Sequence, residues 1–260
     1  MTSHTANWIE LEGAVNVRDV GGLPAADGRS IRSGVLIRSA NLQHLTAADV
    51  ERLVDELEVR RVIDLRTDVE VTGSEPGPMH AQPSVVIRQL SLYPDNRAGE
   101  VEPTPDALMP WHREQFVSAR RPAVASYLRY LERRPDSIVA ALRTIAEPAG
   151  ATVVHCAAGK DRTGVVIALA LSVAGVDKET IAADYAHTQS QIAAILSHLA
   201  RSNLYQREVT RPDQVPPASA EVMLEVLDAI DADFGGVLPW LASQGWTDAD
   251  TQQLQAKLLA

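Results

Sequence analysis

The sequence predicts an α/β fold, with helices flanking a largely parallel central sheet and additional helices at the C-terminal end. Short β-branched runs alternate with amphipathic helical segments, which is typical of strands joined by crossover helices. The uncharged residues 151–154 (ATVV) lead into the almost wholly apolar residues 165–176, a pattern that indicates a buried strand followed by a buried helix. A chain of 260 residues with 45% hydrophobic content can bury a large core, so we expect one domain spanning residues 1–260.

Four strands are predicted from their apolar and β-branched residues. They lie at residues 34–38, 60–65, 84–92 and 151–155. The third is entered from a loop rich in glycine and proline. Because sheets of this kind bind ligands at the carboxyl ends of their strands, we expect a functional site after residue 155.

Helices are predicted where apolar residues recur at helical spacing. Thr46 is the expected N-cap of a helix reaching Leu57, and Asp177 that of a helix over residues 178–187. The other predicted helices cover residues 111–133, 137–147, 221–230 and 247–258, and Thr247 is the expected N-cap of the last.

The loop between the buried strand and the buried helix has the sequence HCAAGKDRTG and runs from His155 to Gly164. Backbone N–H groups that converge at a helix N-terminus bind an oxyanion, and the same field favours the thiolate form of Cys156. Arg162 presents a planar fork of donors that suits two oxygens of one phosphate. Together these features predict phosphoryl transfer through a phosphocysteine.

Cys156 is the single cysteine of the chain, and a single cysteine is often only a small buried apolar residue. Here the Cys-x5-Arg-Thr-Gly spacing, the preceding His155 and the strand–loop–helix context occur together. A motif in its expected context favours the catalytic interpretation.

Residues 155–164 resemble the phosphate-binding loop of cysteine-dependent protein tyrosine phosphatases. The GKDRTG variant resembles a bacterial tyrosine/serine phosphatase family that includes mycobacterial protein tyrosine phosphatase B. Further segments resembling that family lie at residues 16–22 (NVRDVGG), 38–42 (RSANL), 62–67 (VIDLRT) and 235–241 (GGVLPWL). The resemblance covers essentially the whole chain and implies a tyrosine-phosphatase-like fold.

The resemblance and the loop chemistry assign expected roles. Cys156 is the nucleophile, Arg162 the clamp, and the amides of Ala157, Ala158, Gly159, Lys160, Asp161 and Arg162 bind phosphate. His155 is expected to orient the loop through hydrogen bonds, and Thr163 to offer its hydroxyl to the Cys156 sulfur.

Two aspartates compete for the role of general acid. Asp161 lies within the loop, and the family resemblance makes it a candidate. Asp95 follows Tyr93-Pro94 in an acidic, proline-rich segment whose placement resembles the movable Trp-Pro-Asp loop of eukaryotic tyrosine phosphatases. The alternatives are a loop-stabilising carboxylate for Asp161 and a solvated turn residue for Asp95. Asp161 is slightly favoured.

Three further features have two interpretations each. Arg66 either reaches the cleft or forms a buried ion pair. The polar cluster Asn16, Arg18 and Asp19 is interpreted mainly as structural, holding the N-terminal turn against the domain. In the resembled family, helices corresponding to residues 188–217 form a lid, and the alternative here is an ordinary surface helix and loop.

A net charge of −10 argues against nucleic acid or an anionic membrane as a stable partner. No cluster of His, Cys and Asp has the spacing of a metal site, and we expect neither metal nor cofactor.

The first residues, MTSHTANWIE, show no signal-peptide pattern, and a catalytic thiolate needs reducing conditions, so a cytoplasmic location is expected. The resemblance also implies that export without a standard signal peptide can occur.

The expected substrate is a phosphotyrosine-containing protein or peptide, with phosphoserine and phosphothreonine as further substrates and inorganic phosphate as product. One alternative is a phosphoinositide phosphatase, since Gly159-Lys160 resembles part of the lipid-acting loop Cys-Lys-x-x-Gly-Lys-x-Arg; Ala157 replaces its first lysine. The other is a non-catalytic phosphate-binding module, which would not need Cys156.

Overall fold

The computed structural model describes residues 5–93, 120–205, 209–210 and 215–260, and within them six strands form one sheet. The spatial order is β1-β2-β3-β6-β4-β5. Strands β3 to β6 pair in parallel, whereas β1 and β2 add antiparallel at one edge. The strand bounds are Asn7–Trp8 (β1), Arg18–Asp19 (β2), Leu36–Ser39 (β3), Val59–Asp64 (β4), Val86–Gln89 (β5) and Ala151–His155 (β6). The predicted α/β class is confirmed, with an antiparallel edge that the sequence patterns did not indicate.

Helices cover both faces of the sheet. In the described part of the chain they are Ala47–Glu51 (α1), Asp68–Thr72 (α2), Pro122–Arg133 (α3), Pro135–Ile145 (α4), Asp161–Val173 (α5), Lys178–His187 (α6), Ile192–Leu199 (α7), Ala220–Phe234 (α8), Val237–Ser243 (α9) and Asp248–Leu258 (α10). The predicted N-caps Thr46, Asp177 and Thr247 each accept a hydrogen bond from a first-turn amide.

Two helices differ from their predicted forms. The helix after Thr46 winds as a π-helix over Arg52–Glu56 before it ends. The helix after the loop begins at Asp161 instead of residue 165, because its first turn is polar and an apolar pattern cannot detect it. Residues 111–119 of the predicted helix over 111–133 lie outside the described residues.

The register of the sheet brings three strand ends to one edge. Ser39 at the end of β3 and Asp64 at the end of β4 both pair with His155 at the end of β6. The chain segments that follow these strands therefore meet beside Cys156. Apolar clusters fill both faces of the sheet, and β6 is buried along its whole length. In the part of the chain that the structure describes, no helix is long and apolar enough to cross a bilayer.

Candidate active site

The loop after β6 turns sharply into α5 at Gly159. This residue has a φ of +65°, and a Cβ at its position would lie 2.4 Å from the carbonyl oxygen of Ser39. Only glycine combines that backbone conformation with so close an approach to β3. The tight turn places the loop directly ahead of the N-terminus of α5.

Most of the loop amides have no acceptor within the described residues. The N–H groups of Ala157, Ala158 and Gly159 donate to none of them, nor do those of Asp161 and Arg162. The first helical bond runs from Gly164 N to Lys160 O, at 2.8 Å. Free N–H groups at a helix N-terminus form a binding site for an anion.

Cys156 and His155 are both buried at the start of this loop, with Cys156 only 2% exposed. The His155 Nδ1 lies 3.2 Å from the carbonyl oxygen of Cys156, and its Nε2 lies 3.7 Å from Asp64 Oδ2. Burial lowers the pKa of His155, although the Asp64 carboxylate opposes the shift. A neutral imidazole that contacts the backbone of the nucleophile is suited to orienting the loop.

Arg162 is held by a carboxylate that the sequence analysis did not single out. Both of its terminal nitrogens bind Glu70, with Nη2 at 2.8 Å from Oε1, and the guanidinium carbon lies 5.4 Å from the centre of the Tyr93 ring. Burial opposes ionisation of Glu70, but the Arg162 guanidinium outweighs it and lowers the pKa of Glu70. The available signal was the capping box from Thr67 to Glu70, which indicated a helix start rather than a site.

Lys160 and Asp161 form a buried pair, with Lys160 Nζ at 2.6 Å from Asp161 Oδ1. The hydroxyl of Tyr127 donates to the same oxygen and lies 2.8 Å from the hydroxyl of Tyr185. Burial lowers the pKa of Lys160, but the Asp161 carboxylate outweighs this and raises it. Asp161 thus lies beside the loop with a fixed orientation. Asp95, the other candidate acid, lies outside the described residues.

The expected hydrogen bond from Thr163 to the Cys156 sulfur does not form in this structure. Thr163 Oγ1 is buried and has no hydrogen-bond partner among the described residues. A buried hydroxyl without a partner costs about 1–3 kcal/mol. A thiolate is a stronger acceptor than a thiol, which makes the bond more favourable in the ionised state of the cysteine.

The carbonyl groups of the loop are bound from outside the loop. Asn41 N donates to Ala157 O at 3.0 Å, and Arg38 Nη2 to Gly159 O at 3.0 Å. The side-chain amide of Asn16 lies 3.1 Å from the carbonyl oxygens of both Ala158 and Gly159. Asn16 is therefore in contact with the phosphate-binding loop as well as with the N-terminal turn.

The other residues of the N-terminal motif have separate contacts. Arg18 pairs with Asp184 of α6, with Nε at 2.9 Å from Oδ1. Asp19 accepts hydrogen bonds from the amides of Gly21 and Gly34, away from the loop. The contact of Arg18 with α6 and those of Asp19 with backbone amides fit the structural interpretation, whereas Asn16 also contacts the loop.

Of the two interpretations of Arg66, the structure shows the buried ion pair. Its Nη2 lies 2.6 Å from Asp64 Oδ2, and its Nη1 donates to Gln43 Oε1 at 2.8 Å.

No group of three or more His, Cys, Asp or Glu side chains among the described residues is arranged to hold a metal ion.

The segment after α6 covers the loop. Ile195 and Leu199 of α7 pack with Tyr205 against Ala157 and Ala158. The hydroxyl of Tyr205 donates to Glu70 Oε1 at 3.0 Å, so the covering segment contacts the carboxylate that binds Arg162.

A family model described as the tyrosine phosphatase family matches residues 9–260. The chain belongs to this family. A putative tyrosine-protein phosphatase of Cupriavidus necator is 30% identical to this family member over 251 residues, which cover 94% of this chain and 86% of the relative. The triple specificity protein phosphatase PtpB of Mycobacterium tuberculosis is 26% identical, with 96% and 98% covered. The predicted family resemblance is confirmed.

Among solved structures, the Pseudomonas aeruginosa protein TpbA matches 80% of this family member and 96% of its own chain. The identity is 16% and the TM-score 0.34.

Proposed function

We propose that this tyrosine phosphatase family member hydrolyses phosphotyrosine in proteins and peptides through a phosphocysteine at Cys156. The observation that carries the proposal is that Cys156, Arg162 and the unbonded loop amides lie together at the N-terminus of α5. Amides and a guanidinium that are already oriented stabilise the charge that develops on a transferring phosphoryl group. The positive charge that stabilises the phosphoryl group is therefore provided by residues of the protein itself.

Two displacements at phosphorus follow. The Cys156 thiolate attacks phosphorus, the bond from phosphorus to the phenolic oxygen breaks, and an acid protonates the leaving phenolate. Water then attacks the phosphocysteine, the same residue accepts its proton, and the thiolate leaves as inorganic phosphate forms. Asp161 is the proposed acid and base: it enters the cycle protonated and gives that proton to the phenolate, and the carboxylate that results, which Lys160 and Tyr127 orient, accepts the proton of the attacking water. Asp95 is the alternative.

We also propose a wider substrate range and a cytoplasmic location. The name of the mycobacterial relative describes triple specificity, which supports more than one class of substrate here, and phosphoserine and phosphothreonine are the further substrates we propose. Phosphoinositides are less favoured, because the Lys160 ammonium that would reach a second phosphate is bound to Asp161. A reactive lone thiol supports a cytoplasmic site of action, where thiols remain reduced.

We further propose that the segment containing α7 and residues 203–205 acts as a lid on a single phosphatase domain. The apolar contacts of this segment lie on Ala157 and Ala158, the two loop residues that follow the nucleophile. Movement of the lid would uncover this part of the loop for a protein substrate.

The test is steady-state hydrolysis of matched peptides carrying phosphotyrosine, phosphoserine or phosphothreonine, and of phosphoinositide vesicles, with Cys156→Ser as the control. The wild type should prefer the phosphotyrosine peptide and be inhibited by vanadate. Cys156→Ser should lose turnover but keep phosphate affinity, because the amides and Arg162 remain. Turnover by Cys156→Ser above a few per cent, or inhibition by EDTA that a divalent metal reverses, would contradict the phosphocysteine route.

A further inference from the structure

The Asn16 side chain lies against the outer side of the phosphate-binding loop and is only 1% exposed. Its Nδ2 donates to the carbonyl oxygens of Ala158 and Gly159, both at 3.1 Å. These two residues lie more than 140 positions from Asn16 along the chain. Asn16 therefore joins the N-terminal motif to the middle of the loop.

Binding a carbonyl on the outer side of the loop fixes an amide on its inner side. A trans peptide unit is planar, and its C=O and N–H groups point in opposite directions. The carbonyl of Ala158 shares a peptide unit with the N–H of Gly159, and that of Gly159 shares one with the N–H of Lys160. The two bonds from Asn16 therefore turn two consecutive N–H groups toward the position of the phosphate.

The orientation of the Asn16 amide is itself fixed. Its Oδ1 accepts a hydrogen bond from Arg18 Nη1 at 2.6 Å, so the NH₂ group must face the loop. Arg18 is fully buried and bound to Asp184, whose other oxygen lies 2.5 Å from Arg38 Nη1. Arg38 in turn donates to Gly159 O at 3.0 Å. The donors on the outer side of the loop thus form one connected network.

The backbone of Asn16 provides a way to separate two roles. Its φ is +55°, in the left-handed region that asparagine and glycine tolerate best. If asparagine were present only for this turn, glycine would replace it without loss. If the side-chain amide orients the loop, glycine would preserve the turn and lose that orientation.

We propose that Asn16 is a positioning residue for phosphoryl transfer, acting through the peptide units of the phosphate-binding loop. This inference rests on the proposed function of the loop. The effect should be largest on the phosphoryl-transfer step, since the Gly159 and Lys160 amides must be aligned with the charge that develops on the phosphoryl oxygens. Removal of one such preorganised donor costs about 10²–10³-fold in kcat in other enzymes.

The experiment compares Asn16→Gly, Asn16→Asp and the control Asp19→Ala with the wild type. It measures kcat and KM on a phosphotyrosine peptide, the Kd of inorganic phosphate, and Tm. Asn16→Asp keeps nearly the same side-chain shape but replaces the donating NH₂ group by a carboxylate oxygen. That oxygen cannot donate to the carbonyl oxygens of Ala158 and Gly159. We expect both Asn16 variants to lose at least about 10-fold in kcat and to bind phosphate more weakly, whereas any fall in Tm from the lost buried hydrogen bonds is shared with Asp19→Ala, which keeps its kcat. Asp19→Ala should lower Tm and leave kcat unchanged.

Wild-type kcat and phosphate affinity in Asn16→Gly would overturn the proposal. If Asn16→Gly does not fold, Asn16→Asp decides in the same way, and failure of both to fold would also overturn it, since Asn16 would then act on the fold. A wild type that binds phosphate without hydrolysing the peptide would refute the proposed function instead. In that case the phosphate Kd of the Asn16 variants still tests the positioning role.

Discussion

Glu70 and Arg162 form a two-point ion pair in which both side chains are at most 2% exposed. The carboxylate is fixed from two other sides, because Oε2 accepts from Thr67 N and Oε1 from the Tyr205 hydroxyl. The guanidinium is thus oriented before any phosphate arrives. The stability of the folded protein falls strongly when either partner of such a buried charge pair is removed.

Glu70→Gln should reduce both activity and stability. It keeps the shape but leaves the buried Arg162 charge without its counter-ion, which costs about 3–5 kcal/mol when a buried pair is broken. We expect a lower urea midpoint, a fall of at least about 10-fold in kcat/KM, and partial recovery of stability when saturating phosphate replaces the counter-ion. Glu147→Gln removes a half-exposed partner of Arg61 and serves as the control. Equal effects from the two variants would exclude a special role for Glu70.

Asp161→Asn should show a dependence on the leaving group. Loss of a general acid costs about 10²–10⁴-fold for substrates whose leaving group needs protonation, and much less for an activated aryl phosphate. The measurement is kcat/KM for a series of aryl phosphates of increasing phenol pKa, with Asp95→Asn measured in parallel. A steeper dependence in Asp95→Asn than in Asp161→Asn would assign the acid to the other loop.

Gly159→Ala should abolish activity and destabilise the fold. The left-handed backbone costs a residue with a Cβ about 1–2 kcal/mol, and here the added atom would also lie 2.4 Å from Ser39 O. Gly175→Ala is the matched control, since its φ is +83° but nothing lies within 4 Å of the added Cβ. We expect Gly175→Ala to lose only the strain energy in urea unfolding and to keep wild-type kcat. Similar losses in the two variants would show that the approach to Ser39 is unimportant.

Docking of the lid should weaken in acid. His198 of α7 lies 3.0 Å from the carbonyl oxygen of Asn41, and burial, together with His44 and Arg201, lowers its pKa to about 4. The docked lid therefore prefers neutral His198. The free energy of docking that neutral His198 contributes is fully present above about pH 6.5. It decreases as the pH falls toward 4, by at most about 3 kcal/mol.

Hydrogen exchange of residues 192–205, corrected for the intrinsic effect of pH, provides the measurement. Exchange should be faster at pH 5 than at pH 7.5 in the wild type. His198→Gln can still donate to Asn41 O but does not titrate, so its corrected exchange should be the same at both values. A pH effect of equal size in His198→Gln would show that another group controls docking.

Local patterns predicted the strand–loop–helix unit because its residues adjoin in sequence. Cys156 and Arg162 lie in one short motif, and the strand before them has an unmistakable composition. The contact between Glu70 and Arg162 joins positions 92 apart, and no periodicity reports such a pairing. The edge strands β1 and β2 have two residues each, too few to produce an alternating pattern.

The position of β6 in the sheet has a consequence for the order of events during synthesis. This strand lies between β3 and β4, although it follows both in the chain. The two earlier strands cannot join into one sheet until residues 151–155 have emerged and inserted between them, and such non-local pairing folds slowly. The nucleophile is the very next residue. A ribosome-bound chain that stops short of β6 therefore has neither a continuous sheet nor the nucleophile, and the loop, Arg162 and the first turn of α5 that complete the site emerge only after them.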